Sequence, residues 1–253
     1  MGRRVAITGA GAGIGRAIAA AFAAQGDTVY IGDVSETRLA EAKAAVEGNV
    51  HTQVLDVSDF DAVKAFAEAA AGDAGLDVFV NNAGVFDGYA GIDETGPELW
   101  QRVIDVNLTG CFNGCKAASA LLKEGSGRIV NIGSVAGRHG SADGLAYVAS
   151  KAGIEGMTRR LAVDLGPRGI TANVVAPGVT ATNIRANSGE VLGHLVDMNR
   201  GVGASPELMD FLIPVKRPGQ PEEVAELVVF LASAQAAYIT GKTIHVDGGW
   251  HAT

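Results

Sequence analysis

The chain has 253 residues, of which 47% are hydrophobic and 19% charged, so it can bury a sizeable core and intrinsic disorder is excluded. The formal net charge of -8 produces an average field that repels nucleic acid, and no run of lysine or arginine is longer than a pair. Length and composition therefore indicate one large or two small globular α/β domains that do not bind nucleic acid.

The two cysteines, Cys111 and Cys115, lie one turn apart in a segment with a helical pattern, where a disulfide has poor geometry. Two thiols alone do not complete a closed zinc site either, so we interpret them as small buried side chains. The lack of a disulfide framework favours a reducing compartment. Nowhere does an apolar run reach the roughly 18 residues that span a bilayer. We therefore expect a cytoplasmic protein without a membrane partner.

Short apolar runs alternate with amphipathic or alanine-rich stretches from one end of the chain to the other. In chain order, the predicted strands cover residues 5–8, 28–31, 50–55, 76–80, 128–132, 171–176 and 243–246. The predicted helices cover residues 14–25, 36–46, 59–71, 97–123, 145–165 and 222–232. The strands are short, β-branched and apolar on both faces, as a parallel sheet covered by helices on both sides requires.

This alternation predicts an α/β fold, a Rossmann-type doubly wound parallel sheet. Right-handed crossovers favour seven strands in the order 3-2-1-4-5-6-7, with the seventh added at the edge. No linker, repeat or low-complexity tract divides the chain, so we expect residues 1–253 to form a single domain. The exception to the regular pattern is the insert at about 178–214, which we interpret as a lid or substrate-binding loop.

A glycine-rich segment, TGAGAGIG at residues 8–15, ends the first predicted strand and opens the first helix. Glycines there permit a tight turn and the close approach of a pyrophosphate, which the helix N-terminus attracts through its free N–H groups and its dipole. The segment matches T-G-x-x-x-G-x-G rather than G-x-G-x-x-G. We therefore predict a dinucleotide site at Gly9, Gly13, Ile14 and Gly15, with an ordinary glycine-rich turn as the alternative.

Asp33, at the end of the second predicted strand, indicates which dinucleotide binds. A carboxylate at this place accepts hydrogen bonds from both hydroxyls of the adenosine ribose and repels a 2′-phosphate. Neither Ala12 nor Val34 supplies a basic side chain for that phosphate. The sequence therefore favours NAD over NADP, and a solvated loop acid is the alternative interpretation of Asp33.

Asp56 and Val57 end the third predicted strand, and an N-N-A-G segment at residues 81–84 ends the fourth. Ligands of open α/β sheets lie at these carboxyl ends, beside the point where the strand order reverses. We therefore expect an adenine to rest against Asp56 and Val57, although both residues also suit an ordinary helix-capping turn.

Tyr147 and Lys151 form Y-x-x-x-K within a helical pattern, and the i,i+4 spacing puts both on one face. A free tyrosine has a pKa of about 10, and a nearby ammonium lowers that pKa because it favours the phenolate. Tyr147 is therefore a candidate general acid/base that takes a proton from an alcohol or returns one to a ketone. The motif is common by chance in helical proteins and needs support from other residues.

Ser134 and Asn107 supply that support. Ser134 follows the fifth predicted strand and so faces the same cleft as the glycine turn, where its hydroxyl can hold a substrate oxygen. Asn107 lies within a long apolar helical pattern, where an amide is unfavourable unless it is bonded. It can hold a water that links Lys151 to solvent.

T-G-x-x-x-G-x-G, N-N-A-G, the V-N pair at Asn107, Ser134, Y-x-x-x-K and the following P-G occur in the order and at the spacing of one family. On these motifs the sequence resembles the classical short-chain dehydrogenases/reductases over essentially its whole length. The resemblance implies a catalytic tetrad of Asn107, Ser134, Tyr147 and Lys151.

The same resemblance implies further cofactor contacts, because Lys151 and Tyr147 then border the nicotinamide ribose and other residues hold the carboxamide and phosphates. These other residues are Asn82, Gly84, Pro177, Thr180 and Thr182. The C-terminal I-T-G and V-D-G-G segments also resemble the family and imply a homotetramer, with a homodimer as the alternative.

The sequence thus predicts an NAD-dependent oxidoreductase that transfers a hydride between a secondary alcohol and the corresponding ketone. An NADPH-dependent 3-oxoacyl-carrier-protein reductase shares these motifs, but Asp33 and the acidic balance count against it. A non-catalytic nucleotide-binding sensor on the same fold is a further alternative.

The substrate beyond a small alcohol or ketone is not predicted. His139 and Asp143 lie between Ser134 and Tyr147, where they either contact a polar substrate or belong to an exposed loop. The other four histidines show no metal-ligand spacing, so no metal site is expected.

Overall fold

The computed structural model describes residues 2–140, 143–200 and 211–252. They contain one sheet of seven strands, β1 (Arg4–Thr8), β2 (Thr28–Asp33), β3 (Asn49–Val54), β4 (Val78–Asn81), β5 (Arg128–Ile132), β6 (Thr171–Pro177) and β7 (Thr243–Val246). The strand order is β3-β2-β1-β4-β5-β6-β7, and every neighbouring pair is parallel. The predicted doubly wound α/β sheet and its strand order are confirmed.

Eight helices flank the sheet within the described residues: α1 (Gly13–Ala23), α2 (Glu36–Ala45), α3 (Phe60–Ala71), α4 (Pro97–Ile104), α5 (Gly110–Ser119), α6 (Leu145–Leu165), α7 (Ile184–Leu192) and α8 (Pro221–Leu231). Local chemistry sets several of their starts. Ser35 and Asp59 accept backbone N–H groups of the first turns of α2 and α3, and proline is the first residue of α4 and of α8. In the described part of the chain, no helix has both the length and the apolar character needed to cross a bilayer.

Hydrophobic cores cover both faces of the sheet, and β1 shows how the chain divides between them. Ala6 faces the core that α3, α5 and α6 build, whereas Val5 and Ile7 face the core that α1, α2 and α8 build. Successive side chains of a strand point to opposite faces, so a strand that is covered on both sides is apolar throughout. The helices therefore leave the ends of the strands as the place where a polar ligand can bind.

The predicted helix over residues 97–123 is helical as far as Ser119, where it ends earlier than predicted, but its middle is not a regular α-helix. Helix α4 ends at Ile104, and Asp105–Thr109 form a π-helical turn before α5 begins. Asn107 lies in this turn and is fully buried. Its amide donates to the Val85 carbonyl at 2.9 Å and accepts the Val85 N–H at 2.7 Å. Such turns are common at functional sites. Here the π turn points the Asn107 side chain inward, where its two hydrogen bonds to the Val85 backbone stand in place of apolar packing.

The insert at 178–214 is more regular than its sequence suggests, because it contains α7. This helix buries Ser188 and Leu192, and the Ser188 hydroxyl accepts the Phe86 N–H at 2.8 Å. The position of α7 therefore depends on its hydrogen bond to Phe86, in the segment after β4, rather than on an amphipathic pattern in its own sequence. Residues 201–210 of the insert lie outside the described residues.

Candidate active site

A cavity of about 660 Å³ lies at the carboxyl ends of the strands and brings together residues from most of the chain. Its wall contains nearly all the residues that the sequence singles out: Gly9, Gly13, Ile14, Gly15, Asp33, Asp56, Val57, Asn82, Gly84, Ser134, Tyr147, Lys151, Pro177, Thr180 and Thr182. Asn107 lies directly behind the wall, because a methyl group on Gly84 would come within 3.3 Å of its Oδ1 atom.

The glycine turn between β1 and α1 is shaped for a closely approaching ligand. Gly9 and Gly13 have φ angles of +64° and +53°, which favour glycine. A Cβ atom on Gly9 would lie 2.5 Å from the Ala83 Cα, and one on Gly13 would lie 3.4 Å from the Thr182 side chain. The N-cap residue of α1 is Ala12, which offers no side-chain acceptor to the first turn. The free N–H groups of α1 therefore suit the pyrophosphate of a dinucleotide.

Asn82 holds this turn in place. Its side-chain amide donates to the carbonyl oxygens of Thr8 and Gly9 at 3.0 and 2.7 Å. The Thr8 hydroxyl accepts the N–H groups of Asn82 and Ala83 at 3.1 and 3.2 Å. The carboxyl ends of β1 and β4 are thus tied together at the floor of the cavity.

Asp33 lines the cavity beside the glycine turn and already accepts several hydrogen bonds. Its Oδ2 accepts the Gly11 N–H at 3.1 Å, and its Oδ1 accepts the Ser35 N–H at 3.0 Å. Arg38 adds an ion pair to Oδ1 at 3.1 Å and a second ion pair to Glu190 of α7 at 2.5 Å. Arg38 also lines the cavity, although no sequence motif marks it as a site residue. The only local signal for it is a basic side chain in the first turns of α2.

Asp56 also has a cationic neighbour. Its carboxylate accepts hydrogen bonds from the N–H and hydroxyl of Ser58 and lies 3.3 Å from the Arg102 guanidinium. Asp56 and Val57 line the same cavity as Asp33. The cavity wall therefore includes carboxylates that arginines partly neutralise.

Tyr147 and Lys151 lie in the first two turns of α6 and are both buried. The Lys151 Nζ atom lies 5.4 Å from the centre of the Tyr147 ring and donates to the Ile132 carbonyl at 3.0 Å. Ser134 follows β5, and its hydroxyl accepts the Ala136 N–H at 3.1 Å. The three side chains that the sequence assigns to the chemistry therefore line one wall of the cavity.

The ionisation of this pair is set mainly by burial. Burial raises the pKa of Tyr147 above its ordinary value, and the carboxyl group of Asp143 raises it further, whereas a hydrogen bond with Ser134 lowers it. Burial also lowers the pKa of Lys151 to about 8. The direction at Tyr147 is the opposite of what the Y-x-x-x-K spacing predicts, because burial and the nearby carboxyl groups of Asp143 and Asp87 disfavour the phenolate. A phenolate there needs additional positive charge.

Asp87 is a further buried residue of the site that the sequence motifs do not indicate. It is fully buried, and its carboxylate accepts the N–H groups of Gly144 and Tyr147 at 3.1 and 2.9 Å. A distant carboxylate thus caps the N-terminus of α6. No nearby sequence pattern points to this role.

Aromatic and apolar side chains also line the wall; among them are Phe86, Tyr89, Val135, Leu212, Ile213 and Trp250. The two polar residues that the sequence suggests as substrate contacts, His139 and Asp143, differ in their position relative to the cavity. Asp143 lines the cavity, whereas His139 is absent from its wall and packs against the rings of Trp250 and His251.

The comparisons with known proteins agree with this architecture. Residues 9–251 match the family model described as enoyl-(acyl carrier protein) reductase. A 3-oxoacyl-[acyl-carrier-protein] reductase from Thermotoga maritima is 39% identical over 253 residues, which cover 98% of this chain and 97% of the relative.

Two reductases of known structure share this fold along nearly the whole chain. Levodione reductase superposes with a TM-score of 0.89 at 36% identity, over 99% of this chain and 98% of the other. A 3-oxoacyl-[acyl-carrier protein] reductase from Brucella melitensis with bound NAD has a TM-score of 0.82 at 38% identity, over 98% of this chain and 90% of the other.

The likeness runs along nearly the whole chain and is shared with proteins named as reductases, so the class of protein is an oxidoreductase with a doubly wound nucleotide-binding sheet. The chain belongs to the short-chain dehydrogenase/reductase family.

Proposed function

We propose that the protein is an NAD-dependent dehydrogenase that oxidises a secondary alcohol to a ketone and catalyses the reverse reduction. The observation that carries the proposal is the meeting of Ser134, Tyr147 and Lys151 on the wall of a cavity that Asp33 also lines. The glycine turn, with its uncapped helix N-terminus, suits the phosphates of the dinucleotide.

Three side chains of the protein have different roles at the substrate oxygen. When bound, NAD supplies the hydride acceptor and a positively charged nicotinamide ring. In oxidation, the phenolate oxygen of Tyr147 takes the hydroxyl proton as the carbinol carbon gives up its hydride. The Ser134 hydroxyl hydrogen-bonds the same substrate oxygen. The Lys151 ammonium stabilises the phenolate, whose pKa burial otherwise raises.

Asn107 contributes by position rather than by contact with the substrate. Its amide is saturated by the Val85 backbone and by the Ser150 hydroxyl, at 3.1 Å. It therefore fixes the segment after β4 against α6, directly behind Gly84.

The preference for NAD rests on charge at the adenosine end. Asp33 and Glu190 surround Arg38 with two carboxylates, so the guanidinium is already paired where a 2′-phosphate would need it. A dianionic phosphate would also meet the net negative charge of this group. Ribose hydroxyls, in contrast, donate to Asp33.

The second candidate is an NADPH-dependent 3-oxoacyl-carrier-protein reductase. The name of the Thermotoga maritima relative favours it, and so does a guanidinium on the cavity wall at Arg38. Comparing kcat/KM for NADH and NADPH with a simple ketone, and with an acetoacetyl thioester, separates the two candidates. A clear preference for NADPH and the thioester would replace our proposal with this one.

The test of the mechanism is Tyr147→Phe, which removes only the phenolic oxygen. We expect kcat to fall by about 10²- to 10⁴-fold, the usual contribution of a general acid/base, while NADH still binds by fluorescence titration. Tyr238→Phe is the matched control, because Tyr238 is fully exposed and lies outside the cavity. Full activity of Tyr147→Phe would refute the assignment.

We also propose that the insert at 178–214 acts as the lid of the cavity. Thr182, Asn187 and Val191 belong to it and line the wall, and Arg185 lies over the rings of Phe86 and Tyr89. We propose that this segment and the sheet form a single domain.

A further inference from the structure

Three carboxylates line the cavity, and two of them have an arginine partner. Asp33 pairs with Arg38 at 3.1 Å, and Asp56 pairs with Arg102 at 3.3 Å. The third, Asp143, forms no hydrogen bond or ion pair with any residue in the described ranges 2–140, 143–200 and 211–252. It lies four residues before Tyr147, which lines the same cavity.

Two cations of the cavity wall have hydrogen-bond partners other than Asp143, although Lys151 is near enough to lower the pKa of Asp143. Arg185 donates to the carbonyl oxygens of Met198 and Arg200 and packs over two aromatic rings. Lys151 donates to the Ile132 carbonyl. A carboxyl group that faces a cavity without a partner is unfavourable unless a ligand or water satisfies it.

We propose that Asp143 is a specificity-determining residue that hydrogen-bonds a second hydroxyl of the substrate, so that the enzyme acts on diols and hydroxyketones in preference to simple alcohols. This inference rests on the proposed dehydrogenase function. It names the class of substrate that the same cavity takes.

The acid–base chemistry of Asp143 favours a hydroxyl over a charged group. Burial and the neighbouring Asp87 carboxyl raise the pKa of Asp143 to about 7, so both its forms are present at neutral pH. A hydroxyl donates to the carboxylate and accepts from the protonated acid, and thus binds either form. A substrate ammonium would bind only the carboxylate and would face Lys151, while a substrate carboxylate would be repelled by the charged form.

The experiment compares kcat/KM for cyclohexanol with that for cyclohexane-1,2-diol and cyclohexane-1,3-diol, using NAD. In the wild type we expect at least one diol to be preferred about tenfold or more, as one hydrogen bond to a charged group provides. In Asp143→Leu the ratio of diol to cyclohexanol should fall to about 1. Asp143→Asn should give an intermediate ratio, because an amide still donates and accepts.

The ratio of kcat/KM for a diol to that for cyclohexanol distinguishes a contact with the second hydroxyl from a change in the acidity of Tyr147. Replacing Asp143 also changes the pKa of Tyr147, but that change acts on both alcohols and cancels in the ratio. Asp93→Asn is the matched control, because Asp93 is exposed and lies outside the cavity, and its ratio should equal that of the wild type.

The outcomes separate this inference from the function on which it rests. Equal kcat/KM for cyclohexanol and both diols in the wild type, or the same ratio in wild type and Asp143→Leu, overturns the role of Asp143 and leaves the dehydrogenase intact. If Asp143→Leu does not fold, an unchanged ratio in Asp143→Asn also overturns it. Failure to oxidise all three alcohols and to reduce cyclohexanone and simple ketones with either cofactor overturns the proposed function itself.

Discussion

The carboxylate of Asp87 accepts the backbone N–H of Tyr147 at 2.9 Å, although the two residues are 60 positions apart in the chain. The same carboxylate accepts the Gly144 N–H at 3.1 Å, and together these bonds cap the first turn of α6. Because Tyr147 lies in that turn, the segment after β4 fixes where the phenol points.

Asp87→Ala should therefore affect both stability and catalysis. It leaves two buried N–H groups without their acceptor, so the free energy of unfolding should fall by about 1–3 kcal/mol, and kcat should fall with it. Asp59→Ala is the control, because Asp59 caps α3 through the N–H groups of Asp61 and Ala62 at the surface. It should lower stability by about 1 kcal/mol without changing kcat. Urea denaturation and steady-state kinetics measure both effects, and an unchanged kcat in Asp87→Ala would contradict the positioning role.

Gly9 and Gly26 separate backbone strain from a steric clash. Both have positive φ angles, +64° and +81°, so alanine is strained at either position by about 1–2 kcal/mol. A Cβ on Gly9 would also lie 2.5 Å from the Ala83 Cα, whereas one on Gly26 has nothing within 4 Å. Gly9→Ala should lower the melting temperature more than Gly26→Ala and should weaken NADH binding. Equal losses in the two variants would mean that the close contact at Gly9 is not needed.

Glu190 should influence the choice of cofactor although it lies on α7. In Glu190→Gln, Arg38 loses one of its two carboxylate partners and becomes available to a 2′-phosphate. We expect the ratio of kcat/KM for NADPH to that for NADH to rise about two- to fivefold, in line with an exposed ion pair. Glu223→Gln removes a similar pair with Arg217 outside the cavity and should leave the ratio unchanged. The expectation fails if both variants behave alike.

Asp143 should leave a signature in the pH dependence of stability. Its pKa is raised from 3.8 to about 7, chiefly by burial. Between these pH values the folded protein holds a proton that the unfolded chain has released, so Asp143 makes the free energy of unfolding fall as the pH rises. Asp143→Asn removes this dependence and should gain stability relative to the wild type between about pH 4 and pH 7. Denaturation at pH 4.5, 5.5 and 7 measures the difference, and a constant difference would contradict the raised pKa.

The edge strand β7 leads to an expectation about assembly. All four of its residues are partly exposed, whereas all seven residues of β6 are buried. We expect copies of the chain to cover this edge, in a homotetramer of four 25.8-kDa chains or in a homodimer. Sedimentation velocity gives the mass directly, and a monomer at micromolar concentration would exclude both assemblies.

The sequence predicts the sheet and the composition of the cavity wall because both follow from local patterns. Gly9, Asp33, Ser134 and Tyr147 belong to separate segments, but each follows a strand or opens a helix. In a parallel sheet such positions meet at one edge, whatever the details of packing.

The features that the sequence does not predict depend on contacts between distant residues. Arg38 meets Glu190 across 152 positions, and Asn107 meets Val85 across 22 through a π turn that no apolar period indicates. The pKa of Tyr147 depends on burial and on Asp143, not on the spacing to Lys151 alone. Each of these requires the folded arrangement of several loops.

The amide of Asn82, which donates to the carbonyl oxygens of Thr8 and Gly9, has a kinetic consequence. The phosphate turn is held by the protein's own hydrogen bonds and does not need a nucleotide to give it shape. Association therefore loses little chain entropy at this turn. The rate of cofactor capture should then be set by diffusion and electrostatic attraction, and the affinity by how fast the nucleotide leaves.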